Sequence, residues 1–235
     1  MTLTIVPIDG IPEVHPGDEV AVLIATAAEA QQTPLVDGDC VVVTQKVMSK
    51  AEDRLVRLDP DDREARRALI DSESVRVLRR RGDLVISETR HGFVCANAGI
   101  DLSNVEAGWA ALLPVDPDRS ARHVRDALRA HAGVDVAVVV SDTFGRAWRL
   151  GLTDVAIGVA GLAAVVDLRG ESDGLGRELQ VTEVAIADEI AGAAELVMGK
   201  SRGVPAAIVR GLDAGWRRDG SARELVRAPG DDLFR

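Results

Sequence analysis

The chain has 235 residues, of which 46% are hydrophobic, and it carries 28 Lys and Arg against 38 Asp and Glu, a formal net charge of −10. That much apolar content excludes a disordered chain, and the acidic balance argues against a broad nucleic-acid or anionic-membrane surface, because counterion release needs clustered cations. Aromatic residues make up only 3% and Tyr is absent, which argues against the stacking platforms of single-strand binders and leaves Val, Leu, Ile and Ala to fill the core.

In chain order, a strand is predicted over residues 3–6 and a helix over 20–30. A strand over 40–44, Cys40-Val-Val-Val-Thr44, runs into Gln45, Lys46, Ser49 and Lys50. Two lysines and hydroxyls after a strand suit a triphosphate grip, although a solvated turn would look the same. A helix over 61–81 starts after Pro60 with acids in its first turn. It ends in Arg79-Arg80-Arg81-Gly82, where cations beside a glycine stop complement the helix dipole. Strands follow over 84–87 and 93–96. Pro114-Val-Asp-Pro117 is the clearest break, dividing one domain over 1–235 into a front and a back half. Then come a helix over 120–132, a strand over 136–141, a small-residue apolar run over 151–168 ending in a strand over 163–168, a helix over 182–198 and a strand over 206–209. Residues 227–235 read as a polar tail. The alternation is that of a mixed α/β domain. No apolar stretch reaches the about 18 residues of a membrane span. The N-terminus lacks the basic and apolar regions of a signal peptide, so a soluble, cytoplasmic protein without membrane or nucleic-acid partners is expected.

Cys40 and Cys95 lie in apolar runs with no CxxC partner and read as buried free thiols. His15, His91, His123 and His131 lack ligand spacing, and neither HExxH nor GxSxG occurs. Gly199-Lys200-Ser201 resembles the end of a P-loop, but Ala194 stands where that motif needs glycine, and a helix precedes it instead of a strand. A Gly-ended helix and a turn remain, whose backbone N–H groups can still meet a phosphate.

Two acids stand at predicted strand ends. Val136-Ala-Val-Val-Val-Ser-Asp142 runs on into Thr143 and Arg146, and Phe93-Val-Cys-Ala-Asn97 leads to Asp101 and Asn104. Carboxylate and hydroxyl are hard oxygen donors suited to Mg²⁺ or Mn²⁺. If the two ends converge, Asp101, Asp142 and Thr143 can hold cations that neutralise a polyphosphate. Spacing leaves a second reading open, with Asp142 capping a turn and Asp101 a helix.

Taken together, these motifs resemble the coenzyme F420-0:γ-glutamyl ligase family nearly end to end. The shared stretches include Gly10-Ile-Pro-Glu13, Gly38-Asp-Cys-Val-Val-Val-Thr-Gln-Lys-Val-Met-Ser-Lys50, Ala96-Asn-Ala-Gly-Ile-Asp-Leu-Ser-Asn-Val105, Ser141-Asp-Thr-Phe-Gly-Arg-Ala-Trp-Arg149 and Gly176-Arg-Glu-Leu-Gln-Val-Thr182. The resemblance implies a γ-glutamyl-ligase-like mixed α/β fold and an intertwined homodimer with its sites along the subunit interface. It implies a GTP-dependent ligase that adds L-glutamate to F420-0 through an acyl phosphate, with extension of a γ-linked tail left open. Mg²⁺ or Mn²⁺ is implied as cofactor and K⁺ as monovalent activator.

Carried over by position, Asp101, Asp142 and Thr143 are the implied metal ligands. Ile11, Pro12, Glu13, Val14, Gln45, Lys50 and Asn104 are the implied nucleotide contacts, joined by the loop of Met198, Gly199, Lys200, Ser201, Arg202, Gly203 and Val204. Lys200 stands where some relatives place a metal ligand in a loop one residue longer, so it and Arg202 are read as phosphate contacts. Arg146 and Arg149 are read as holding substrate phosphate or carboxylate, which guanidinium forks match. No general base is identified. Some relatives carry a C-terminal flavin-binding domain, and with the chain ending at Arg235 the stand-alone form is expected. Two other functions stay open at this point: a metal-dependent phosphohydrolase using the same acids, and a non-catalytic nucleotide-binding dimer.

Overall fold

The computed structural model describes residues 2–233; Met1 and the last two residues of the expected polar tail lie outside the described residues. The front half comprises β1 (Thr4–Pro7), α1 (Val20–Ala30), β2 (Cys40–Thr44), α2 (Gln45–Ala51), β3 (Leu55–Arg57), α3 (Arg63–Glu73), β4 (Ser74–Arg81), β5 (Leu84–Thr89), β6 (Val94–Ala96) and β7 (Trp109–Ala111). The back half adds α4 (Pro117–Ala132), β8 (Ala137–Arg146), β9 (Arg149–Ala160), β10 (Val166–Asp167), β11 (Glu183–Val184), α5 (Ile186–Met198) and β12 (Ala206–Arg210).

Five of these strands form the central sheet, in the order β1-β12-β2-β8-β9. Only β2 and β8 run parallel; the other neighbours are antiparallel. Strand alternation then divides the core in two. Val41, Val43, Val138, Val140 and Ile208 point to one face, where α1, α2 and α4 cover them. Cys40, Val42, Val139, Ala207 and Val209 point to the other, under α5. A helix layer on each side explains why β2 and β8 are unbroken apolar runs. Each fully buried valine contributes on the order of 1.5–3 kcal/mol relative to exposure. Gly158 of β9 lets α4 approach closely, since a Cβ there would lie 2.2 Å from the Pro117 carbonyl oxygen. Away from this sheet, β4-β5-β6 form a three-stranded sheet, and Val85 of β5 clusters with Ile70 of α3 and with Ala98 in the turn after β6. There are also two small antiparallel pairs, β3–β7 and β10–β11, and isolated bridges between Asp101 and Ala111 and between Ser172 and Glu178.

The mixed α/β class is confirmed, and the helix predicted over 20–30 and the strand over 40–44 are found with those bounds. Several other expectations are corrected. The helix over 61–81 divides: α3 ends at Glu73, and the next eight residues form β4, paired antiparallel with β5. Arginines at 79, 80 and 81 therefore belong to a strand, and Gly82 (φ +60°) serves a two-residue turn, because Arg81 pairs directly with Leu84. The strand over 163–168 shrinks to β10; Ala163 and Ala164 are instead bonded to Trp216 and Ala187. The helix expected from 182 begins at Ile186, behind β11. α4 begins earlier than expected, at Pro117, because Asp116 caps it by accepting from Arg119 N–H and proline fits the first helical turn. The small-residue run from Arg149 is strand β9, hidden by its low β-propensity. Both cysteines are free and buried, and burial pushes each thiol up to about 12.

Candidate active site

The parallel pairing of β2 and β8 puts their carboxyl ends side by side, with Thr44 opposite Ser141. Ligand sites in open α/β sheets form at such ends. α2 starts immediately after Thr44, and β8 carries Asp142 and Thr143 past Ser141. β12 enters the sheet from this same edge, opposite Val43, so the loop that joins it to α5 falls there too. β9 places Asp154 directly opposite Thr143, next to a register shift between Val140 and Ser141, and such bulges re-aim side chains.

A cavity of about 660 Å³ opens between these segments, within the range of small-molecule sites. Ile11, Pro12, Glu13, Val14, Gln45, Lys50, Asn104, Asp142, Thr143, Met198, Gly199, Lys200, Ser201, Gly203 and Val204 all line it. Four sequence-predicted residues do not. Asp101 stands behind Lys46, to which it is ion-paired. Arg202 donates to the Val197 carbonyl at 3.2 Å, at the end of α5. Arg146 donates to the Leu150 carbonyl at 2.8 Å, and it and Arg149 are exposed at the tip of the β8–β9 hairpin.

Asp142 is the most perturbed acid of the site. Burial pushes its carboxyl up to about 7, the charges of Asp101 and Asp154 push the same way, and Thr143 N–H and Lys46 only partly offset them. Burial also raises Asp101, but hydrogen bonds from Lys46 and Ser103 outweigh it and hold that carboxyl below its ordinary value. Asp142 thus does not cap a turn, because it lies within a paired strand, and Asp101 caps no helix: it bridges to Ala111 and accepts from Ser103 N–H at 2.7 Å.

Asp154 is the residue the sequence reading missed. It is 1% exposed, and it accepts from the Ser141 hydroxyl at 3.0 Å, from the Thr143 hydroxyl and from Lys200 Nζ at 3.1 Å. The one available signal was a charged residue inside a run of small apolar ones. Lys50 pairs with Glu13, so each lysine facing the cavity already holds a carboxylate. Gln45 is also committed: its amide nitrogen donates to Ser49 Oγ at 2.6 Å and to the Leu112 carbonyl at 2.9 Å, leaving a buried Oε1 with no partner among the described residues.

Among the described residues no three His, Cys, Asp or Glu side chains are grouped to hold a metal. The donor set that could take one is the Asp101 and Asp142 carboxylates with the Thr143 hydroxyl, all hard oxygens. The acid excess around Asp142 fits a divalent cation, because such a charge would stabilise the ionised form that burial disfavours. No helix among the described residues is long and apolar enough to cross a membrane.

A protein-family profile described as F420-0:Gamma-glutamyl ligase matches residues 10–211. The chain is 43% identical over 255 aligned positions to a coenzyme F420:L-glutamate ligase of Methanothermobacter thermautotrophicus, covering 100% of both proteins. It is 44% identical to the protein of that name from Methanopyrus kandleri, covering 100% of this chain and 98% of the other. The protein of that name from Methanocaldococcus jannaschii is 38% identical over 87% of each.

Proposed function

The chain belongs to the F420-0:gamma-glutamyl ligase family, and from that premise we propose that it is a GTP-dependent ligase of F420 biosynthesis, joining L-glutamate to F420-0. The observation that carries this reading is the cavity at the joined carboxyl ends of β2 and β8, with hard oxygen donors on one wall and Lys46, Lys50 and Lys200 around it. A carboxylate is a poor electrophile. GTP would phosphorylate the terminal carboxylate of F420-0, the glutamate amine would attack the acyl phosphate, and phosphate would leave. Such transfers depend on positioning and on offsetting negative charge.

In this reading Asp101, Asp142 and Thr143 hold Mg²⁺ or Mn²⁺, which when bound supplies positive charge to the phosphoryl oxygens, and K⁺ acts as a monovalent activator. The cavity lysines and the backbone of residues 199–203 bind phosphate, and Ile11 and Pro12 flank the nucleotide. Lys50 and Lys200 exchange their carboxylate partners for phosphate as the nucleotide enters. We further propose a homodimer. Its support is the far end of the β8–β9 hairpin, where Leu150 is 98% and Leu152 69% exposed, more apolar surface than a soluble hairpin tip ordinarily leaves to water.

Incubation with GTP, Mn²⁺, L-glutamate and F420-0, followed by mass spectrometry, tests the reading. The expected products are a glutamyl adduct and one GDP for each glutamate joined. Phosphate release without an adduct would overturn it in favour of a hydrolase, and unchanged substrates would leave a binding protein.

A further inference from the structure

The cavity holds an acid for which the proposed phosphoryl transfer has no use. Glu13, Asp101 and Asp154 are each paired with a lysine, and Asp142 belongs to the proposed cation set. Glu195 also lines the cavity, yet it has no hydrogen-bond or ion-pair partner among the described residues. Its backbone is fixed in the last turn of α5, where its carbonyl accepts from Gly199 N–H at 2.9 Å. Glu106, the other cavity acid with no side-chain partner among the described residues, is exposed on the loop before β7.

The position of Glu195 is unfavourable for the helix that carries it. The C-terminal end of a helix is the negative pole of its dipole and favours a cation there. α5 has no basic residue in its last turn and places an acid in it instead. Arg202, from the following loop, caps the Val197 carbonyl only on the exposed side. An acid that opposes its own helix, faces a cavity and has no partner departs from the local rule in the manner of a functional residue. Together, the carboxylate and the helix end make a subsite for a positively charged group. That subsite adjoins the reaction wall, because Lys200 and Asp154 lie within electrostatic reach of Glu195 and Asp154 in turn bonds Thr143.

The co-substrate that arrives with a cationic nucleophile is the amino acid. We propose that Glu195 is the general base that receives the ammonium group of the incoming glutamate and takes a proton from it; the proposal rests on the ligase reading above. An ammonium nitrogen carries three protons and the amide nitrogen one. Glu195 accepts the first proton, which frees the lone pair. The nitrogen then bonds to the acyl carbon, the acyl C–O bond breaks, and its electron pair leaves with phosphate, which carries off the second proton. Glu195 returns its own proton to water. Burial raises the Glu195 carboxyl above its ordinary range, Asp154 adds to the rise, and Lys200 opposes it, which brings the group nearer the pH at which a base works best.

Hydroxylamine offered in place of glutamate separates this role from the rest of the site, since it is a neutral nucleophile at pH 7 and traps acyl phosphates as hydroxamates. With GTP, Mn²⁺ and F420-0, the wild type should form both the glutamyl adduct and the hydroxamate. Glu195→Gln should lose glutamate ligation by about 100-fold or more while forming hydroxamate at close to the wild-type rate, which also shows a folded, loaded site. Unchanged ligation in Glu195→Gln, or equal loss of both reactions, would overturn the assignment and leave the ligase reading intact. Absence of hydroxamate from the wild type would instead overturn the acyl-phosphate reading, and this assignment with it.

Discussion

Replacing Lys200 by methionine removes the cation from a carboxylate that is 1% exposed, whereas the lysine side chain itself is 54% exposed. Breaking a buried ion pair from one side costs roughly 3–5 kcal/mol, because the remaining charge is stranded. Two features of this pair reduce that figure. Half of the lysine side chain lies in water, where the attraction is screened, and Asp154 keeps its hydroxyl donors Ser141 and Thr143. Lys200→Met should therefore cost about 1–2 kcal/mol in urea unfolding. Asp154→Asn retains an acceptor oxygen and releases Lys200 to solvent, for a cost of about 0.5–1.5 kcal/mol. The informative number is the coupling. In an Asp154→Asn background the methionine should cost close to nothing, giving a coupling of about 1–2 kcal/mol in the double-mutant cycle. A coupling below about 0.5 kcal/mol, the scatter of independent sites, would refute the view that Lys200 is held by Asp154.

Because the Asp142 carboxyl lies near 7 when folded and near 4 when unfolded, the folded state binds the extra proton between these values, so stability falls as pH rises through that window. Without divalent cation the wild type should lose up to about 1.4 kcal/mol per pH unit relative to Asp142→Asn, and Mn²⁺ should reverse the loss at pH 8; parallel unfolding curves in pH and metal check both. Gly158→Ala drives a Cβ to 2.2 Å from the Pro117 carbonyl oxygen and should cost about 1–3 kcal/mol, read as a lower urea midpoint with an unchanged slope. Leu150→Asp with Leu152→Asp should convert a sedimenting dimer to monomer at micromolar concentration, and a variant that remains dimeric would place the interface elsewhere.

Where local pattern and tertiary role agreed, the sequence was readable. Val41–Val43 and Val138–Val140 lie in a parallel pair buried on both faces, so an unbroken valine run admits only one placement. The helix expected over 61–81 shows the opposite case. Arg-rich residues have good helix propensity, and nothing short of the pairing partner, β5, reveals that Val75 and Val77 alternate as a strand. β9 was obscured because Gly151, Ala156, Gly158 and Ala160 are poor strand formers, of which Gly158 serves the close approach of α4. The convergence of segments 11–14, 44–50, 141–143 and 198–205 was legible only as a list of motifs, because spacing does not say which strand ends adjoin. Asp154 and Glu195 were harder still. A single acid in an apolar run and a single acid in a helix become informative only once the first is seen opposite Thr143 and the second facing the cavity.

The central claim is that F420-0 is activated as an acyl phosphate before glutamate attacks it. The most direct measurement uses F420-0 labelled with ¹⁸O in its terminal carboxylate, with GTP, Mn²⁺ and L-glutamate, and follows the label by mass spectrometry. In the predicted result each first glutamate joined to F420-0 releases one phosphate carrying a single ¹⁸O from that carboxylate. Formation of that first amide with no labelled phosphate would contradict it.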